Sequence, residues 1–428
     1  MKKCVFVSSV LVALSVVAAP EIENLSVSQN RDRMLTISFS LTEKAIVTMD
    51  ILTNDVSIGA SNYWSIRDTQ SADDAFPANR IVAQGDHVWT WRPVKEWPGH
   101  SFTSNVFRVS LKAWSLDAPP DYMVIDSASI SNAPHFYATA ADLPEGGIKT
   151  ADPDDAEAVA ELTNDVYRTT KLILRKIPAA GVKWRMGSPT NELYRQDGET
   201  PHYVTLTNDY YVSIYLLTVT QSRMFFGFQE AATINIKPKF NLSYLDARGS
   251  YTNGFCWPGD GHSVSSSSGF GYMRQRTGLQ FDFLTEAEWE FACRAGTEGK
   301  WCNNEESPDS VAWLNMSAGH NIRIVGLKEP NSWGLYDMHG LVNEWVLDQY
   351  GAYPSTAVTA PVGATDNIVN RILRGGPQSL KWQGAWNARI STRSAFRRSY
   401  DGSARSDTAP NGFGGRVSCP AALPDWLR

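Results

Sequence analysis

The chain has 428 residues, 43% hydrophobic and 20% charged, and its 39 Lys and Arg against 45 Asp and Glu leave a formal net charge of −6. That length suits two or three domains with their own cores, and the composition excludes wholesale disorder and a multi-spanning membrane protein. The mild acidity lacks the electrostatic footprint of a general nucleic-acid binder, while 11% aromatic residues, 15 of them Trp, point to aromatic-rich cores or ligand surfaces.

Lys2 and Lys3 precede an apolar run from Cys4 to Val17 that ends in small residues, which reads as a signal peptide over residues 1–18. The run is too short to span a bilayer comfortably, so no membrane span is expected after cleavage; the alternative is a retained anchor. Export makes the protein secreted, periplasmic or bound at the cell surface. Cys4 leaves with the signal and Cys256, Cys293, Cys302 and Cys419 remain. In an oxidising compartment these read as bridges, with three pairings open. No CxxC, HxxxH or HxH spacing occurs, so a structural zinc site is not expected.

Residues 20–137 read as an all-β sandwich of immunoglobulin or fibronectin type. Leu35, Ile37, Phe39 and Leu41 alternate with Thr36, Ser38 and Ser40, and the same period recurs at Val47, Met49 and Ile51 and from Phe107 to Ala113. Trp89, Trp91 and Trp97 suggest a carbohydrate platform at first sight, but Trp89 and Trp91 share one strand face and suit a core. Residues 138–165 carry Asp142, Glu145, Asp152, Asp154, Asp155, Glu157 and Glu161 among Ala, Gly and Pro, the composition of an acidic, partly flexible linker.

The last domain, residues 166–428, opens with a buried strand at Leu172, Ile173, Leu174 and Ile177 and contains one strongly encoded helix from Leu284 to Gly296. Thr285 and Glu288 form a capping box, Leu284 and Trp289 a hydrophobic staple, and Gly296 suits a left-handed end. Trp289, Ala292 and Cys293 share a face, and Glu290 can pair with Arg294 one turn on. Acid-base catalysis by these clustered acids is the competing reading, but capping accounts for Glu288 without it.

A series of segments in this domain resembles the sulfatase-modifying-factor family, whose best-known members are the formylglycine-generating enzymes. The segments are Met186-Gly-Ser-Pro189, Pro201 to Leu206, Thr218-Val-Thr-Gln221, the capped helix, Pro330 to Gly340, Glu344-Trp345, Arg374-Gly-Gly376, Arg393 with Ala395 and Arg397, and Gly415-Arg-Val417. The resemblance implies an α+β fold with little regular secondary structure, related to C-type lectins. It also implies a calcium site with side-chain oxygens from Asp337 and Glu344 and carbonyls from Gly340 and Val342, hard ligands suited to that ion. A loop held by carboxylate-to-backbone hydrogen bonds is the alternative.

Active family members oxidise a substrate cysteine with molecular oxygen, using a cysteine pair after Arg-Gly-Gly that binds copper(I). This chain has no cysteine between Arg374 and Arg416, where the pair would fall. Copper and formylglycine generation by that route are therefore not expected. The resemblance suggests a Cys256 to Cys419 bridge, with Cys293 and Cys302 pairing locally or Cys293 left as a free core thiol.

Two functions remain. In the first, a non-catalytic binding module uses the former substrate groove, lined by Trp382, Trp386, Arg389, Arg393, Arg397 and Tyr400, to hold a glycan, peptide or exported protein, a sulfatase among them. Arg393 and Arg397 as structural ion-pair partners are the alternative to that lining. In the second, a divergent formylglycine-generating oxidoreductase works with repurposed cysteines.

Overall fold

The computed structural model describes residues 19–70, 76–100, 106–128, 133–250, 255, 257–305, 307–313, 322–365, 370–376, 388–397 and 412–424. The signal peptide reading falls outside these residues. Among them, no helix is long and apolar enough to cross a membrane. The molecule is mostly β-sheet, with a few short helices.

Alternating side chains place the first strands as expected: β1 Ile22–Gln29, β2 Leu35–Leu41, β3 Ala45–Thr53, β4 Gly85–Trp91 and β5 Phe107–Trp114. β1, β2 and β4 lie side by side in one antiparallel sheet, and β3 pairs with β5 in a second. The register sets Ile37 opposite Trp89 and Leu35 opposite Trp91, so their buried faces join Ala45, Val47, Met49, Ile51 and Val109 in one core. Trp89 meets Phe39 edge to face at 4.9 Å. Both tryptophans are core residues, at 0% and 1% exposure, so neither forms a platform.

The boundary at residue 137 is corrected by strand pairing. β6 Tyr122–Asp126 and β7 His135–Tyr137 belong to a five-stranded sheet completed by β8 Lys171–Ile177, β9 Tyr210–Ser213 and the C-terminal strand Ser418–Pro420. β6 and β7 therefore pack with the C-terminal domain, where Met123, Ile125 and Phe136 share a cluster with Leu172, Leu174 and Tyr211.

The acidic linker is also corrected, because its acids are used locally. Asp142 completes a capping box with Thr139, and Asp155 caps the helix Ala156–Glu161 by accepting from the N–H groups of Glu157 and Ala158. Asp165 is ion-paired to buried Arg168. Leu143 and Leu162 are buried in the main C-terminal cluster, so the segment is folded against the domain.

Further on lie α1 Val219–Phe226, α2 Gly269–Thr277 and α3 Glu286–Arg294. A last mixed sheet contains β10 Asn343–Gln349 and, antiparallel to it, β11 Asn370–Arg374, which pairs in turn with the strand Ser394–Arg397.

Candidate functional site

The site is organised by α3, the helix most strongly encoded in the sequence. Thr285 accepts from the Glu288 N–H at 3.2 Å while the Glu288 carboxylate accepts from the Thr285 N–H at 2.8 Å. At the other end the left-handed residue is Ala295, φ 44°, one position before the expected Gly296, which also has positive φ. Every residue of α3 except Glu288 is buried, so its remaining acids need partners inside the protein.

Those partners are arginines distant in sequence. Arg374 bonds Glu286 at 3.0 Å and Glu290 at 2.8 Å, and Arg294 closes on Glu290 at 2.7 Å. Arg393 grips Glu286 through two bonds of 2.7 and 2.8 Å, and its guanidinium lies 3.7 Å from the ring centre of Tyr353. Burial pushes the Glu290 carboxyl upward, but Arg294 and Arg374 outweigh it and hold the group below its ordinary range. These acids are anchoring groups, and the acid-base reading finds no free carboxylate in Glu286 or Glu290.

The expected groove is corrected at two positions by the same electrostatics. Arg389, 1% exposed, is paired with Glu192 and bonds Glu199 at 2.8 Å, while Arg393 is 6% exposed and committed to Glu286. Neither offers a guanidinium to a ligand. Trp382, Trp386 and Tyr400 lie outside the described residues, as does the side chain of Arg397, whose backbone pairs with Asn370.

The four calcium candidates run from just before β10 into it: Asp337, Gly340 and Val342 precede the strand and Glu344 is its second residue. Asp337 and Leu341 take positive φ values of 58° and 60°, and Gly340 has φ 89°. A Cβ on Gly340 would stand 2.4 Å from the Trp313 carbonyl oxygen, so only glycine fits there. Glu344 accepts from Trp289 Nε1 at 3.1 Å, and Arg416 Nε straddles its two oxygens at 3.0 and 3.2 Å. Asp337 accepts from the Gly326 N–H at 2.7 Å through Oδ2, whereas its buried Oδ1 has no partner. Burial raises the Asp337 carboxyl to about 6, against the Gly326 hydrogen bond and the Arg416 and Arg168 charges. The Val342 carbonyl oxygen and Glu344 Oε1 each lie 3.5 Å from where a Gly375 Cβ would stand, so they face the same neighbourhood. Among the described residues no group of three or more His, Cys, Asp or Glu is placed to hold a metal. Of the expected ligands, Asp337 Oδ1 is the buried oxygen left open to a hard cation, since both Glu344 oxygens are engaged by Arg416 and Trp289 and the Gly340 carbonyl accepts from the Val342 N–H.

Cys293, Cys302 and Cys419 are buried free thiols, so the local pairing of Cys293 with Cys302 is absent, and Cys256 lies outside the described residues. Burial raises Cys302 to about 12 and Cys293 well above the usual thiol range. His339 sits between them: its Nε2 accepts from the Cys302 N–H at 3.1 Å and lies 3.8 Å from Cys293 Sγ, which leaves Nδ1 to donate to the Ala388 carbonyl at 2.6 Å. Burial drives His339 down to about 4, so it is neutral.

Sequence reasoning missed Arg416, Trp289 and His339 as parts of this centre. The available signals were the arginines of Arg374-Gly-Gly and Gly-Gly-Arg416 and the acids one turn apart on α3, but no local pattern pairs residues 55 to 107 positions apart.

Residues 177–417 match the family described as the sulfatase-modifying factor enzyme 1-like domain. Among curated relatives, the formylglycine-generating enzyme of Mycobacterium tuberculosis is 33% identical over 113 residues, 22% of this chain and 38% of the relative. The inactive C-alpha-formylglycine-generating enzyme 2 of Bos taurus is 32% identical over 123 residues, 26% of this chain and 36% of the relative. The chain thus spans little more than a third of the length of these relatives. Of solved structures, PvdO from Pseudomonas aeruginosa aligns with a TM-score of 0.46 and 21% identity, over 58% of this chain and 94% of that one. With more than half of its residues inside the family match, the chain belongs to the sulfatase-modifying factor enzyme 1-like family.

Proposed function

We propose that this protein is an exported, non-catalytic ligand-binding member of its family, a scaffold that has kept the fold and lost the copper chemistry. One observation carries the reading: no cysteine lies between Arg374 and Arg416, and the thiols of Cys293, Cys302 and Cys419 are buried elsewhere. Copper(I) needs accessible soft thiolates, which these positions do not supply. Relatives of both active and inactive kinds are compatible with such a loss.

The ligand class is a glycan, a peptide or an exported protein. The family's description makes a sulfatase the first protein ligand to test. Calcium belongs to this proposal as a structural ion held by Asp337 and the carbonyls of Gly340 and Val342, with Glu344 joining only by giving up one of its bonds to Arg416 or Trp289. When bound, it supplies positive charge that fixes the turn before β10. The N-terminal sheets are assigned to the immunoglobulin or fibronectin type and the C-terminal domain to the C-type-lectin-related class, with the apolar N-terminus as export signal.

Copper(I) titration with thiol counting on the folded chain, beside oxidation of a cysteine-containing sulfatase peptide, tests the loss of catalysis. No stoichiometric copper and no formylglycine are expected, and glycan and peptide arrays then identify the ligand. Tight copper with aldehyde product overturns the proposal in favour of a divergent oxidoreductase.

A further inference from the structure

The N-terminal sheets and the C-terminal domain meet at a joint built around Asn79. This residue is 3% exposed and left-handed, with φ 59°. Its N–H donates to the Val47 carbonyl at 2.7 Å and its Oδ1 accepts from the Met49 N–H at 3.2 Å, which ties it to β3. Its carbonyl accepts from the Phe136 N–H of β7 at 2.7 Å, which ties the same residue to the C-terminal domain. Ile46 of β3 and Leu116 are buried in one cluster with Phe136, so the contact around this bond is apolar.

His135 stands beside Phe136 and also spans the joint. Its ring lies 6.4 Å from that of Trp64, at 24° to it, and Trp64 in turn stacks on Phe76 of the N-terminal core. Its buried Nδ1 has no hydrogen-bond partner. The charges bearing on the ring are Arg80, at the start of the strand Arg80–Val82 that pairs with β3, Lys171 of β8, and Asp126 of β6. Two of the three are cations, and the one acid is drawn to Lys171 at 3.3 Å, as is Glu145 at 2.9 Å. A proton on the imidazole therefore arrives as a third cation, in a place where Nδ1 meets no acceptor.

We propose that His135 makes this joint acid-sensitive: when its imidazole is protonated, the N-terminal sheets part from the C-terminal domain at the Asn79–Phe136 bond. The closed joint keeps the ring neutral, and the open joint hydrates it. Burial, with Arg80 and Lys171, lowers His135 from 6.5 to about 4, so the closed joint holds the proton more weakly than the open one. The advantage of the closed joint is full above about pH 6.5 and is lost as the pH falls toward 4.

Hydrogen exchange on the full chain, corrected for the intrinsic rate at each pH, tests this. Between pH 7 and pH 4.5 the protection of the Phe136 amide is expected to fall roughly fiftyfold. The Asn79 amide, bonded to Val47, and the Ser213 amide, bonded to Val417, should keep theirs, because each lies within one side of the joint. His135→Gln and His135→Phe, neither of which can take the proton, should hold the Phe136 amide protected at pH 4.5. Far-ultraviolet circular dichroism at pH 7 shows which variants keep the fold. Protection of Phe136 in the wild type that does not change with pH overturns the proposal, as does a loss that Asn79 and Ser213 share equally or that the folded variants repeat.

Discussion

Arg416 Nε sits between the two carboxylate oxygens of Glu344, 3.0 and 3.2 Å away, with both side chains at 1% exposure or less. The same guanidinium bonds the Ile214 carbonyl at 3.0 Å and that of Tyr336, so one residue fastens the C-terminal strand region to the turn before β10. The carboxylate in turn accepts from Trp289 on α3. Three parts of the domain meet on a single ion pair.

Removing one partner of a buried pair leaves an uncompensated charge, which costs about 3–5 kcal/mol. Arg416→Ala should therefore shift the urea midpoint strongly downward. Arg416→Met combined with Glu344→Gln should recover much of the loss, because neither charge is then stranded. Equal stability of the single variant and wild type would show that the pair does not form.

Asp337 gives a signed pH dependence. Its folded value of about 6 is above the ordinary 3.8, so the folded state holds the proton more tightly than the unfolded chain. Its contribution is fully present below about pH 4 and is lost as pH rises through about 6, of order 3 kcal/mol in all. Asp337→Asn should flatten thermal stability over that window. Saturating calcium should reverse the slope in wild type alone, since the ion favours the ionised carboxylate.

The thiols of Cys302 and Cys293 should be nearly inert in the native protein. With Cys302 near 12 its thiolate fraction at neutral pH is roughly a thousandfold below that of a free cysteine. In a Cys256→Ser background, a disulfide reagent should label no thiol promptly and Cys293, Cys302 and Cys419 all in denaturant. Prompt native labelling would contradict their burial.

Arg393 separates an anchoring role from a ligand-binding one. Arg393→Ala should lower stability by about 1–3 kcal/mol even without any ligand, because Glu286 is left with only Arg374, which it shares with Glu290. A double-mutant cycle with Glu286→Gln should give a coupling of at least about 1 kcal/mol, and additivity would instead leave Arg393 free for a ligand.

The acidic stretch can be tested by its apolar members. Leu162→Ala, at a site 2% exposed, should cost about 2–5 kcal/mol if the segment packs as described, and nothing measurable in a flexible tether.

Local patterns determined much of this protein by themselves. Period-two alternation set β2, β3 and β5, and Thr285 with Glu288 set the start of α3, because a strand face and a helix cap are decided by residues a few positions apart. The order of motifs likewise carried the family, and the missing cysteines after Arg374-Gly-Gly needed no coordinates. Tertiary structure alone decided what the charged groups do. Sequence paired Glu290 only with Arg294 one turn on and set Arg389 and Arg393 in a ligand groove, until folding brought Arg374 within 3 Å of Glu290, Arg393 within 3 Å of Glu286, and Arg389 within 3 Å of Glu192 and Glu199. It also moved the strand 122–126 into the C-terminal sheet and folded the acidic segment onto it. Pairings between distant residues depend on which surfaces are buried together, and burial is what makes an unpaired charge too costly to leave alone.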